Sequence, residues 1–369
     1  MGTDAPSAPN QLPGRDVIPP AEVKDVARGI ATAVAPEGGI TDVQATLLGA
    51  IANALTGEDV DYHDLDPLGP DELAERLQHR DDGYRQRIVH HMVLGELVLR
   101  PLPVEVSVRV AKYAKALGID DRFVRVARRY AQGAYGLAWM DLHRSGFSEQ
   151  SQQADLNRSA SSAADPFERP DVDPELAAKW AAFEELPAGT LGRGVWEMYD
   201  SRGFALPGTA EGASPYLAQH DFVHVLADYG TNLKGELEVF AFIGRADPEP
   251  KGFAWLATLI GLFETGFISS TGFFDKDVHE PVVQAPGMQH RLADAIRRGK
   301  AVCVCNERDL FMENYHDYAP LAVEEVRGIL AIPPKGPEPE GVRSPGLFER
   351  DGMSEMQQRY ADARKGGTA

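Results

Sequence analysis

Apolar residues recur along most of this chain at helical intervals. In "ITDVQATLLGAIANAL", Val43, Leu47, Leu48, Ile51 and Leu55 fall at spacings of three and four, which is one face of a helix. "PVEVSVRVAKYAKALGI" and "DRFVRVARRYAQGAYGLAWMDL" continue the pattern, so residues 21–147 read as a compact helical domain. From Gly146 to Asp173 the periodic face disappears and Ser, Gln, Ala, Asp and Pro take over, marking a polar linker over 148–173. A second helical block, 174–335, follows. There Thr190 fits an N-cap and Gly203 a stop for the helix of "LGRGVWEMYDSRG". Ser214 and Pro215 fit the N-cap and first position of the next helix, Gly230 its stop, and Pro286 and Pro320 further helix starts. The ends, 1–20 and 336–369, are rich in Pro and Gly and read as tails, the second with at most one short helix. No segment demands a parallel sheet and no repeat of solenoid length occurs. The expected fold class is all-α, two helical domains joined by a polar linker.

At 369 residues and 43% hydrophobic content, the chain can bury a sizeable core and fill two domains. Its 37 Lys plus Arg against 56 Asp plus Glu give a net charge of -19, which opposes binding to nucleic acid and to anionic membrane surfaces. Cys303 and Cys305 in "AVCVC" stand too close for a CxxC pair and read as buried thiols in a reducing compartment. The start, "MGTDAPSAPNQLPGRDVIPP", has no basic stretch followed by an apolar run, and Pro6 stands where a myristoylation signal prefers Ser or Thr. A cytoplasmic location is expected. "FAWLATLIGLFETGFISSTGFF", Phe253 to Phe274, is long enough to span a bilayer, but Glu264 in its middle favours a core helix.

The chemistry concentrates in "HDFVHVLADYGTNLKGE". His220 and His224 are four apart and Asp221 lies three before His224, so on a helix the three project together. Glu236 comes twelve residues after His224, which in one unbroken helix places it ~18 Å away. A turn at Gly230 lets a second helix run back and bring Glu236 beside the histidines. Two imidazoles and two carboxylates suit a borderline divalent cation such as zinc, manganese or ferrous iron, and the lack of thiolate argues against a closed structural zinc site. Asp228, one turn after His224, is placed to hold the free ring N–H of that histidine.

This string, HDxxH followed by eleven residues and Glu, resembles the signature of the Coq4 family of ubiquinone-biosynthesis proteins. "LPAGTLGRGVWEMYDSRGF" resembles the family's opening segment and "LKGE" its "LGE". "LADAIRRGKA" with "PLAVEEVRGILAIPP" resembles its C-terminal pair of helices. The likeness covers roughly residues 180–335. The chain departs from the family at "SPYLAQ", where an Arg-Tyr-Arg-Glu-Val-like run is usual, and at "RADPEPKG", which interrupts the long helix after Glu236. The resemblance implies one divalent metal ion, zinc with iron or manganese as alternatives, held by His220, Asp221, His224 and Glu236, the same four carrying catalysis. It implies an isoprenoid or prenylated aromatic substrate in quinone biosynthesis, with oxidative decarboxylation at ring C1 as the attributed reaction. Other quinone-biosynthesis enzymes, a homo-oligomer and peripheral membrane contact are the implied partners. The N-terminal domain resembles TerB-like helical modules in its texture and in the acidic "TGEDVDYHDLD".

Arg297, Arg298 and Lys300 lie where a helix end favours cations, and together with Arg193 they are also candidates to hold a substrate anion. His316 and Asp317 form a second HD pair with no further ligand at the required spacing and read as a turn; His90 and His91 read as structural. Two other function classes stay open. One is a non-catalytic lipid-binding scaffold stabilised by the metal, with small residues in 253–274 lining an apolar channel. The other is an HD-type metal phosphohydrolase recruiting His143 and Asp275 or Asp277. No P-loop, no GxGxxG fingerprint and no GxSxG elbow is present.

Overall fold

The computed structural model describes residues 18–99, 101–120, 124–125, 172–213, 215, 217–246, 256, 282–306, 310 and 313–367. Among them lie thirteen α-helices and no strand, so the all-α class holds. The proposed linker up to residue 171, the apolar stretch Phe253–Phe274 apart from the buried Leu256, the side chains of Cys303 and Cys305, and His143, Asp275 and Asp277 lie outside the described residues. No helix among the described residues is long and apolar enough to cross a membrane.

The N-terminal block packs α1 (Pro20–Val34) against α4 (Asp82–Leu97) and α5 (Val104–Ala116), with α3 (Pro70–Arg76) on α5 and α1. Helix α2 (Asp42–Thr56) begins with a reciprocal capping box, Thr41 accepting from the Gln44 N–H while the Gln44 side chain accepts from Thr41. All five residues of its predicted face are buried, but so are Gly49 on the opposite side and Ala50 and Ala52 on the flanks. A helix apolar all round is one enclosed on both sides. On one side the Gln44 amide bonds the Val34 and Gly95 carbonyls, each at 2.8 Å, tying α2 to α1 and α4. On the other side α2 meets α10 (Met288–Asn306), where a Cβ on Gly49 would stand 2.8 Å from the Gln289 amide. Buried side chains from both blocks form one continuous apolar cluster.

The second block comprises α6 (Pro174–Ala181), α7 (Leu191–Arg202), α8 (Gln219–Ala227), α9 (Leu233–Ala246), α10, α11 (Tyr315–Tyr318), α12 (Val323–Ile329) and α13 (Glu355–Gly367). Among the described residues, helices α9 and α10 form the most extensive pair. They approach backbone to backbone at Gly299, where a Cβ would lie 2.3 Å from the Phe242 carbonyl oxygen. A fully buried ion pair, Arg291 with Glu238, crosses the same interface. Under α8, Trp180, Phe183, Tyr199, Phe222 and Tyr315 form an aromatic floor, Tyr315 stacking on Phe222 at 4.9 Å.

Gly203 stops α7 in the left-handed region as expected, at φ 70°. Other boundaries differ from the sequence reading. Thr190 stands at the N-cap of α7, but its hydroxyl donates to the Pro187 carbonyl instead of capping. The next helix begins at Gln219, four residues past Pro215, with no side-chain cap, and Ser214 lies outside the described residues. Helices α10 and α12 start two and three residues past Pro286 and Pro320. The chain from 336 to 367, expected as a tail, is packed on the second block: Leu347 and Gln357 are buried, and Arg364 pairs with Asp200 on α7. At the other end, Ile18 of the expected N-terminal tail is buried and α1 starts at Pro20.

Candidate metal centre

Helix α8 presents His220, Asp221 and His224 on one face because i, i+1 and i+4 lie within one helical turn and a little more. One ligand atom from each falls within 4.8 Å of the others. The chain then reverses and α9 brings Glu236 in its first turn against both rings. Its Oε2 is 3.5 Å from His220 Nε2 and its Oε1 is 3.3 Å from His224 Nε2. Asp221 Oδ1 is 3.5 Å from His220 Nε2. Donors held about 2.1 Å from a tetrahedral zinc stand about 3.4 Å from one another. The three observed separations are near that value, so His220, Asp221 and His224 form one candidate ligand group, with Glu236 facing both rings through its two oxygens.

The rings are oriented for this. His220 Nδ1 bonds the Leu217 carbonyl at 2.5 Å and His224 Nδ1 bonds the Tyr229 carbonyl at 3.1 Å. A carbonyl only accepts, so both Nδ1 atoms carry protons and both Nε2 atoms face the cluster. His224 is wholly buried and its Nε2 faces Glu236 Oε1 at 3.3 Å, placed to share a ligand with it. Tyr199 on α7 donates to Asp221 Oδ2 at 2.5 Å, leaving Oδ1 toward the histidines. The side chains of His220, Asp221 and Glu236 each keep about a tenth of their surface exposed, at 12%, 11% and 11%, so the cluster opens to solvent on one side.

Electrostatics bind the cluster tightly. Burial alone would lower His220, but Asp221 and Glu236 outweigh it and raise its pKa to about 9. Burial would raise Glu236, yet the two histidines pull it down to about 2. Asp221 is raised, chiefly by burial. Arg202 is pushed down to about 10 by burial, against the opposing pull of Asp221 and Glu236. It lies within α7, buried, and bonds Thr231 Oγ1 at 2.7 Å. Tyr199 and Arg202 were not singled out from the sequence. Their signal was available: both sit on the apolar face of α7 with Val195 and Met198, where a polar tip needs a partner.

Three sequence expectations are corrected, those on Gly230, on Asp228 and on the His316–Asp317 pair. Gly230 does not stop α8; Asp228 does, in the left-handed region at φ 59°. Gly230 serves close packing instead, since a Cβ there would lie 2.5 Å from the Gly352 carbonyl oxygen. Asp228 does not hold His224, whose ring proton goes to the Tyr229 carbonyl, because the left-handed turn sends the Asp228 carboxylate to the Leu347 N–H at 2.9 Å. The four candidate anion-binding cations are engaged by the protein. Arg193 bonds Glu197 and the Glu184 carbonyl, and Arg297 bonds Asn53 and Asp294. Lys300 bonds the Leu55 carbonyl. Arg298 is buried, bonds the Ala227 and Pro333 carbonyls and lies over the Tyr229 and Phe242 rings. His316 and Asp317 fall on the short helix α11 instead of a turn, with the His316 ring against Trp180 and Phe183. His90 and His91 are buried within α4, as a structural reading requires.

No protein-family model, no curated protein and no solved structure matches the chain, so the reading of this centre rests on its residues and their geometry.

Proposed function

We propose that this chain is a metal-dependent, Coq4-like protein of quinone biosynthesis that acts on a prenylated aromatic precursor, its reaction an oxidative decarboxylation at ring C1. The observation that carries the reading is the His220, Asp221 and His224 group on one helix face, with Glu236 3.3–3.5 Å from both rings and His224 wholly buried. The donor set suits zinc, iron or manganese. Bound there, the cation would supply Lewis acidity toward a ring carboxylate or phenol oxygen, and iron would add redox capacity, with an external oxidant as final electron acceptor.

The protein groups divide the remaining work. His220 and His224 are fixed by the Leu217 and Tyr229 carbonyls and serve as anchors. Asp221 is pinned by Tyr199. Glu236 has no such restraint on its carboxylate beyond the two rings, so it is the group free to swing aside and take a proton from the substrate. Purified protein loaded with Zn2+, Fe2+ or Mn2+ and given a prenylated 4-hydroxybenzoate under oxygen should release carbon dioxide, and His224→Ala should not. Metal uptake without turnover under any of these conditions would refute the enzymatic reading.

The small exposure of the ligands favours one alternative, a metal that stabilises a non-catalytic carrier of isoprenoid intermediates. That protein would copurify with lipid and show no carbon dioxide release.

A further inference from the structure

The turn that carries the chain from the histidines to Glu236 is held from outside the segment that resembles Coq4. Residues 228–232 bond mainly to the C-terminal segment 347–357. Leu347 donates its N–H to Asp228 Oδ1 at 2.9 Å. The Gly352 carbonyl accepts from the Thr231 N–H at 2.7 Å and from the Asn232 N–H at 3.1 Å. The Asp351 carbonyl accepts from Asn232 Nδ2 at 2.7 Å. Gln357, buried, accepts from Thr231 Oγ1 at 2.8 Å and donates to the Thr231 carbonyl at 3.2 Å. Gly230 and Gly352 pack so closely that a Cβ on Gly230 would lie 2.6 Å from Gly352 Cα.

These contacts reach the site through short covalent and hydrogen-bonded paths. Asn232 accepts from the Gly235 N–H with its side chain and from the Glu236 N–H with its carbonyl, at 2.9 Å each, so it starts α9 and sets the position of Glu236. Thr231 also accepts from Arg202, which donates to the Leu347 carbonyl and joins turn, α7 and C-terminal segment. N–H groups at a helix start need acceptors, and here those of Thr231 and Asn232 both go to the Gly352 carbonyl.

We infer that the C-terminal segment 347–357 is a clamp that sets the distance between Glu236 and the histidine pair, with Gln357 as its positioning residue, and so tunes the affinity of the metal centre. The inference rests on the metal reading above. Gln357 touches no ligand atom; it acts through Thr231.

The test uses the full chain and Co2+ as the probe. Wild type, Gln357→Ala, Gln357→Glu and Gln44→Ala are stripped of metal and titrated while the visible absorption of bound Co2+ is recorded. Gln44→Ala removes a buried amide with two carbonyl bonds from the N-terminal block and controls for general loss of stability. Gln357→Ala should weaken Co2+ binding about 10-fold, the usual effect of removing a group that orients a ligand, and change the absorption band. Gln357→Glu keeps the acceptor for Thr231 and should fall between, which retains the test if the Ala variant fails to fold. Gln44→Ala should bind as wild type does. Folded Gln357 variants with wild-type affinity and spectrum would overturn the clamp and leave the metal centre standing. Wild-type protein that takes up no Co2+ would overturn the metal reading itself, and the clamp with it.

Discussion

Tyr199→Phe separates what the metal centre gains from its surroundings from what the fold gains. The substitution removes one hydroxyl and keeps a ring that packs on Trp180 at 5.5 Å and Phe204 at 5.7 Å, so no large cavity forms. What is lost is a 2.5 Å bond to a carboxylate, with both residues buried. A hydrogen bond to a charged group contributes about 1.5–3 kcal/mol, which puts this one at about 2 kcal/mol in metal-free protein. Freed Asp221 would rotate away from the histidines, and loss of such an orienting group costs about 10-fold in metal affinity. At a fixed excess of free metal that removes a further ~1.4 kcal/mol of metal-linked stability. Urea unfolding of both proteins, with chelator and with a fixed excess of Zn2+, reads the two parts. The variant should be less stable by about 2 kcal/mol without metal and by about 3.4 kcal/mol with it. Equal losses in the two conditions would refute the claim that Tyr199 orients a ligand.

Two further outcomes follow from the same contacts. Glu22 bonds Arg80, Tyr84 and His79 at 2.7–3.1 Å; burial would raise its carboxyl, but these partners outweigh it and hold it below the usual glutamate range. Its folded-state pKa is depressed, so its contribution is complete above the unfolded value and is lost as pH falls through the folded one. Glu22→Gln should therefore lower stability by about 1 kcal/mol at pH 7, and the gap should close in strong acid; a gap independent of pH would contradict the assignment. In Glu238→Gln the fully buried Arg291 loses its countercharge across the α9–α10 interface. A loss of about 3–5 kcal/mol is expected in urea unfolding, and replacement of both partners by Met or Leu should recover most of it.

The readable parts of this chain were those decided by local spacing. The face of α2 follows from period alone, and the HDxxH spacing put three ligands on one side of α8 before any contact was known. Glu236 needed only the expectation of a reversal near Gly230. The parts that were not readable depend on distant residues. Gly230 looks like a helix stop, but its lack of a side chain answers to Gly352, far away in sequence. Arg298 and Lys300 look like a cationic patch until the carbonyls of Ala227, Pro333 and Leu55 are brought to them by folding. The Pro- and Gly-rich C-terminal segment carries almost no periodic signal, because it packs through backbone carbonyls and glycine contacts instead of an apolar face.

The central claim is that four side chains on α8 and α9 hold one divalent cation. Elemental analysis of wild type, His224→Ala and Glu236→Ala, purified without chelator, tests it most directly. The account predicts near-stoichiometric metal in wild type and its loss in both variants, with helical content unchanged. Metal-free wild type, or variants that retain the metal, would contradict it.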